Sequence, residues 1–196
     1  MNDLLVLSDD GHKLANILNS LDVENFWLQN RFIDWYSGKE INSEEKKICK
    51  NNNYNSYYTH CSSFVKSVCF RNNIEMYGPP DIETEGLANK QYDWLELHGK
   101  KYGWIKINNI KNIQYDCEIQ AQKKANLGYL VLMLFKNKND QNKGHIAVVK
   151  PENITESNVK INGCKICNVG ICNLSSVNSH ICFKDFMECV FWMHSV

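Results

Sequence analysis

The chain of 196 residues carries no net charge: Lys plus Arg and Asp plus Glu are 22 each. A neutral surface has no broad electrostatic claim on nucleic acid or on an anionic membrane. The lysine pairs Lys46-Lys47, Lys100-Lys101 and Lys123-Lys124 read as solvated faces. No apolar run approaches the roughly 20 residues a membrane-crossing helix needs. Leu130 to Phe135 is the most continuous one, and polar residues bound it. The first ten residues lack a basic stretch and contain Asp3, Asp9 and Asp10, so they do not read as a secretory signal. Cytoplasmic residence or export by a leaderless route is the expectation. An internal repeat and a convincing linker are also missing, and the length suits one domain over 1–196.

Cysteine is what the chain has in excess. There are nine, with Cys164, Cys167, Cys172, Cys182 and Cys189 crowded near the end. An odd number leaves at least one free thiol. Their spacing gives no disulfide framework, which suits a reducing compartment. Cys164-Lys165-Ile166-Cys167, with Cys172, His180 and Cys182 downstream, raises structural zinc. No second C-x-x-C or H-x-x-x-H follows, and the intervening residues look like strand, so no metal or organic cofactor is expected.

Periodicity divides the chain in two. Leu14, Ile17, Leu18 and Leu21 recur at helical spacing. Val23, Phe26, Trp27, Phe32, Ile33, Trp35 and Tyr36 continue the pattern, with Asp22 as start cap and Gly38 as stop. Residues 39–56 read as loop. Helices are predicted from about Cys61 to Arg71, with Thr59 as N-cap, from Leu87 to Leu97, stopped by Gly99, and over 114–126, stopped by Gly128. The run from Gly128 to Asn137 then reads as a strand buried on both faces. His145–Lys150 returns as a second strand, and 159–169, 171–176 and 187–194 supply three more. Helices first and an antiparallel sheet last make an α+β fold.

Two residues carry the chemistry. Cys61 opens its helix, where the helix dipole favours a thiolate. His145 follows Gly144 at a strand start and can face such a thiol as its base. Backbone N–H groups beside the small Ser62 and Ser63 can form an oxyanion hole. Each residue also has a bland reading, as a small core cysteine and a satisfied strand histidine. His60 is a competing base, but neighbours in a helix start point about 100° apart. Asn168 or Asn173 can orient the imidazole by accepting its second N–H; spacing alone does not choose. Tyr58, Ser62, Gln91 and Trp94 are candidate substrate contacts, although aromatics at helical spacing more often pack in the core.

The runs Thr59-His60-Cys61-Ser62-Ser63-Phe64-Val65, Gly86–Leu95 and Gly144-His145-Ile146-Ala147-Val148-Val149-Lys150-Pro151 together resemble a mostly uncharacterised bacterial group. Asp22–Trp27 and Asp34–Gly38 fit it as well. The group looks like a branch of the cysteine- and histidine-dependent amidohydrolase/peptidase (CHAP) families, which are papain-like and include many peptidoglycan hydrolases. The resemblance covers about residue 20 to the end. It implies a papain-like fold, Cys61 as nucleophile, His145 as general base, and a third polar position falling on Asn168, with Asn173 shortly after. Many relatives have an acid or glutamine at that third position. Asparagine orients the ring without stabilising its charge. The implied activity is amide cleavage, most directly in the peptide of peptidoglycan. The alternatives are an effector-type protease, deamidase or transglutaminase acting on a protein amide, and a non-catalytic papain-like or zinc-stapled binding module.

Overall fold

The computed structural model describes residues 3–41, 59–80, 87–107, 114–138 and 144–196. After a short strand β1 (Leu4–Leu5), helix α1 spans Asp9–Ser20. Ser8 caps it, its hydroxyl accepting the Gly11 N–H at 3.1 Å, and Asp9 and Asp10 sit favourably at the positive end of the dipole. The face it buries is Gly11, Leu14, Ala15 and Leu18.

The expected continuation of helix through 23–36 does not form. Asp22, Trp27 and Asn30 take left-handed backbone angles, with φ of 49°, 54° and 60°, and these cannot continue a right-handed helix. The aromatic periodicity has another cause. The segment folds as turns around Trp27, which is fully buried, donates its indole N–H to the Trp35 carbonyl at 3.1 Å, and meets Phe64 edge-on. Gly38, at φ 72°, lies so close that an added Cβ would overlap the Trp27 ring. The glycine thus makes room for the ring and stops no helix.

Helix α2 spans Cys61–Arg71, α3 Leu87–His98, and α4 Gln114–Asn126. The residue preceding α2 is His60, which makes no side-chain capping bond, so Thr59 is not the cap. Cys61–Val65 and Ser67–Cys69 are buried, which places α2 inside the molecule with more than one face covered. Past its predicted end, α3 continues into a 3₁₀ turn, Gly99–Tyr102, before strand β2 (Ile105–Ile107), which the sequence pattern does not announce.

The remaining strands are β3 (Leu130–Phe135), β4 (His145–Val149), β5 (Ile154–Thr155), β6 (Lys165–Asn168), β7 (Leu174–Asn178) and β8 (Val190–His194). Of the eight described strands, six form one antiparallel sheet in the order β2-β8-β3-β4-β6-β7; β1 and β5 pair separately. Helix α5 (Glu156–Asn162) takes up 159–162, the start of the strand expected over 159–169, and β6 keeps only its end. Thr155 caps it through the Asn158 N–H, a local bond that competes with the ladder. A short helix, α6 (Ser179–Cys182), follows β7. The chain is therefore mixed helix and antiparallel sheet, but its helices are interleaved with strands.

The sheet is buried on both faces, as the apolar run of β3 requires. Leu130, Leu132, Leu134, Ile146, Val148 and Cys167 share one core cluster with α1, α2 and α3. Val131, Met133, Ala147, Val149 and Ile166 share the other with α4 and α5. Cys164 and Cys167 lie in different clusters. Among the described residues, no three His, Cys, Asp or Glu side chains gather as metal ligands.

Candidate active site

The start of α2 and the start of β4 meet. Cys61 is 4% exposed, packed in the core cluster that also holds Ile146 and Val148. The first helical bond of α2 runs from the Phe64 N–H to the His60 carbonyl at 2.9 Å. The N–H groups of Cys61, Ser62 and Ser63 therefore have no acceptor within the helix. They and the dipole make this helix end favourable for negative charge.

His145 and Cys61 shift each other's ionisation. Burial alone pushes the Cys61 thiol up. The His145 hydrogen bond and charge, the Ile146 backbone N–H and the Ser62 side chain together outweigh burial and hold the thiol at about 7. Burial also pushes His145 down. Its bonds to Cys61 and Asn168 outweigh that, and its pKa stands above the ordinary value. The contrast with the other thiols is the informative point. Burial pushes Cys69, Cys117, Cys164, Cys167, Cys182 and Cys189 up, Cys167 to about 12. Of the described cysteines whose thiols shift, Cys61 alone shifts toward the thiolate.

The third position is Asn168. Its Oδ1 lies 2.7 Å from His145 Nε2, and its Nδ2 donates to the Cys172 carbonyl at 2.7 Å. The Cys172 carbonyl accepts only from an N–H, so the amide must turn its oxygen to the ring. Nε2 is then the donor, which leaves Nδ1 for Cys61. The β6–β7 ladder is irregular between Ile166 and Asn168, a feature that re-aims a side chain at a strand end.

Asn173 has another task. Its Nδ2 donates to the carbonyls of Val23, Phe26 and Trp27 at 2.9, 2.8 and 3.2 Å, and its Oδ1 accepts the Gly170 N–H at 3.0 Å. It fastens the 22–41 turns to the strand that follows the site and does not face the imidazole. His60 is likewise committed, its Nε2 3.0 Å from the Arg31 carbonyl, and burial lowers its pKa.

The other candidates divide. Ser62 sits beside Cys61, its Oγ 3.9 Å from Cys61 Sγ. Gln91 is fully buried, and its Nε2 donates to the Ser62 carbonyl at 3.1 Å and the Tyr77 carbonyl at 2.8 Å. It staples α2 to the following turn, which corrects the expectation of a substrate contact. Trp94 stacks on Tyr102 with ring centroids 5.2 Å apart and packs against the core. Tyr58 lies outside the described residues.

Sequence reasoning passed over three contributors: the Ile146 N–H on the thiol, the Cys172 carbonyl behind Asn168, and Phe183, whose ring lies 4.7 Å from that of His145. Two are backbone groups, which side-chain identity does not advertise. Phe183 gives no periodic signal. No helix among the described residues is long and apolar enough to cross a membrane. Neither a known family model nor a curated protein matches this chain.

Proposed function

We propose that the chain is a papain-like cysteine hydrolase that cleaves an amide bond through Cys61, His145 and Asn168. The observation that carries this reading is the ionisation of Cys61: a buried thiol held at about 7 at a helix start, beside a histidine whose other nitrogen is held by an amide oxygen. A helix bearing the thiol, packed on an antiparallel sheet bearing the histidine and asparagine, supports the papain-like assignment.

In this mechanism the Cys61 thiolate attacks the substrate carbonyl carbon. The C=O π electrons move to oxygen, where the first-turn N–H groups of α2 stabilise the charge. The His145 imidazolium gives its Nδ1 proton to the leaving amine as the C–N bond breaks, leaving a thioester on Cys61. Now neutral, His145 takes a proton from water, whose oxygen attacks the thioester and displaces the thiolate. Asn168 keeps the ring in position throughout and exchanges no proton. The peptide of peptidoglycan is the substrate class the sequence resemblance favours; a protein amide in an effector-type protease or deamidase uses the same steps, and a transglutaminase differs only in that an acceptor amine, in place of water, loses its proton to His145 and attacks the thioester.

The test is the pH dependence of Cys61 alkylation by iodoacetamide, read by peptide mass mapping, with His145→Ala alongside. Fast alkylation near neutrality that the mutation removes is the expected result. Slow, ordinary alkylation in both proteins would overturn the reading and leave a non-catalytic binding module.

A further inference from the structure

Helix α3 carries none of Cys61, His145 and Asn168, yet its first turns touch the backbone beside two of them. On one side, Gln91 donates to the carbonyl of Ser62, the residue after Cys61, at 3.1 Å. On the other stands Asn89, which is also buried. Its Oδ1 accepts the Asn137 N–H at 3.3 Å, just past the end of β3. The same oxygen lies against Gly144, just before β4: a Cβ built there would fall 2.2 Å from it. One amide oxygen thus touches both strands of the β3–β4 pair where they leave the sheet. Phe135 is the register partner of His145, so any slide of this end moves the histidine. One helical turn along α3, Asp93 pairs with Lys136 through both carboxylate oxygens, at 2.7 and 2.9 Å. Residues two apart on a helix point about 200° apart, so Asn89 and Gln91 reach out from nearly opposite sides of α3.

We propose that Asn89 is a positioning residue for His145: its amide oxygen sets where β4 begins and, with Gln91 on the same helix, fixes how far the imidazole stands from Cys61. Asn89 has a short side chain and is buried, so the place of its oxygen is the place of α3. Glycine at 144 lets that oxygen rest on the main chain, where any side chain would push the strand away. Gln91 holds the start of α2 to the same helix. The spacing between thiol and imidazole is therefore measured through α3, a rigid element that takes no part in the chemistry. A base must stand within hydrogen-bond reach of the thiol it activates. A misplacement of about 1 Å in such a pair costs up to roughly 100-fold in rate. Asn89 itself exchanges no proton. Its effect on turnover rests on the hydrolase reading; its effect on the placement of His145 rests on the β3–β4 geometry alone.

The experiment compares the full chain with Asn89→Ala and Asn89→Asp. The His145 ring is titrated by NMR, Cys61 alkylation by iodoacetamide is followed across pH, and urea denaturation reports stability. In Asn89→Ala the His145 midpoint should fall, because burial lowers it once the partners that raise it are out of place. The Cys61 midpoint should rise from about 7 by about one pH unit, which is roughly fivefold slower alkylation at pH 7. Asn89→Asp keeps an acceptor oxygen in the same place, and its negative charge favours the imidazolium, so the His145 midpoint should stand at or above the parent's. An Asn89 that only stabilises the fold would lower the urea midpoint and leave both titrations of the folded protein in place, which would overturn the proposal. A lowered His145 midpoint in Asn89→Asp would overturn it as well, and this keeps the test decisive if Asn89→Ala does not fold. Slow, ordinary alkylation of Cys61 in the parent would defeat the hydrolase reading instead, and the His145 titration would still decide whether Asn89 places the ring.

Discussion

Asn168 and His145 are joined by a 2.7 Å contact from Oδ1 to Nε2, and the Cys172 carbonyl behind Asn168 decides which way its amide faces. The imidazole therefore has one tautomer that satisfies all its neighbours, with Nδ1 turned to Cys61. This bond raises the affinity of His145 for its proton, and a positive His145 is what lowers the Cys61 thiol. The consequences can be tested residue by residue.

Asn168→Ala should leave Cys61 and His145 in place while freeing the ring. Loss of one hydrogen bond to a charged group is worth about 1.5–3 kcal/mol, or roughly 10- to 100-fold in kcat/KM. Cys61→Ala and His145→Ala should each abolish turnover with the fold intact. Rates on an acyl substrate, with circular dichroism as a check, would order the three. Asn168→Ala as damaging as His145→Ala would mean that it does more than orient.

Asn173→Ala should behave oppositely. Its amide serves the carbonyls of Val23, Phe26 and Trp27, so its loss strands backbone acceptors at a cost of about 1–3 kcal/mol. Urea denaturation should show the loss, with Cys61 alkylation nearly unchanged. A stable variant with a slowed thiol would place Asn173 back in the site.

The pH profile follows from the directions of the two shifts. Alkylation of Cys61 should rise through about pH 7 as the thiol ionises. Turnover should fall again at higher pH, where His145, raised above its ordinary value, loses the proton meant for the leaving amine. In His145→Ala the burial that opposes ionisation is no longer outweighed, so the alkylation midpoint should move up toward the ordinary thiol value of 9.0 or beyond. A midpoint that stays near 7 in that variant would show that the helix end, and not the imidazole, activates the thiol.

Gly144→Ala tests how the histidine is delivered. An added Cβ would overlap Asn89 Oδ1 and lie 2.6 Å from the Phe135 carbonyl, and Phe135 is the register partner of His145. Either the strand start or the α3 side chain must give way. The expected outcome is slower Cys61 alkylation together with a lower melting temperature; a variant matching the parent in both would show that the β4 start is free to shift.

Much of this was legible in the chain. The α1, α2, α3 and α4 helices and the β3 and β4 strands follow from apolar periodicity and, for α3 and α4, from the stops at Gly99 and Gly128, because those forces act within a few residues. So does the choice of Cys61 and His145, since a thiol at a helix start and a histidine after a strand-opening glycine are local facts. The aromatic segment after Leu21 misled, because turns wrapped around Trp27 present the same spacing as a helix face. Residues 159–162 misled because a helix capped by Thr155 runs through the start of the expected strand. What only the tertiary structure decided was partnership. Asn168 and Asn173 are the same residue type five positions apart, and nothing local separates them. One meets a ring brought 23 residues along the chain, and the other meets carbonyls about 150 residues away. Hydrogen bonds across such distances depend on the packing of the whole sheet against its helices, and no window of sequence contains both ends.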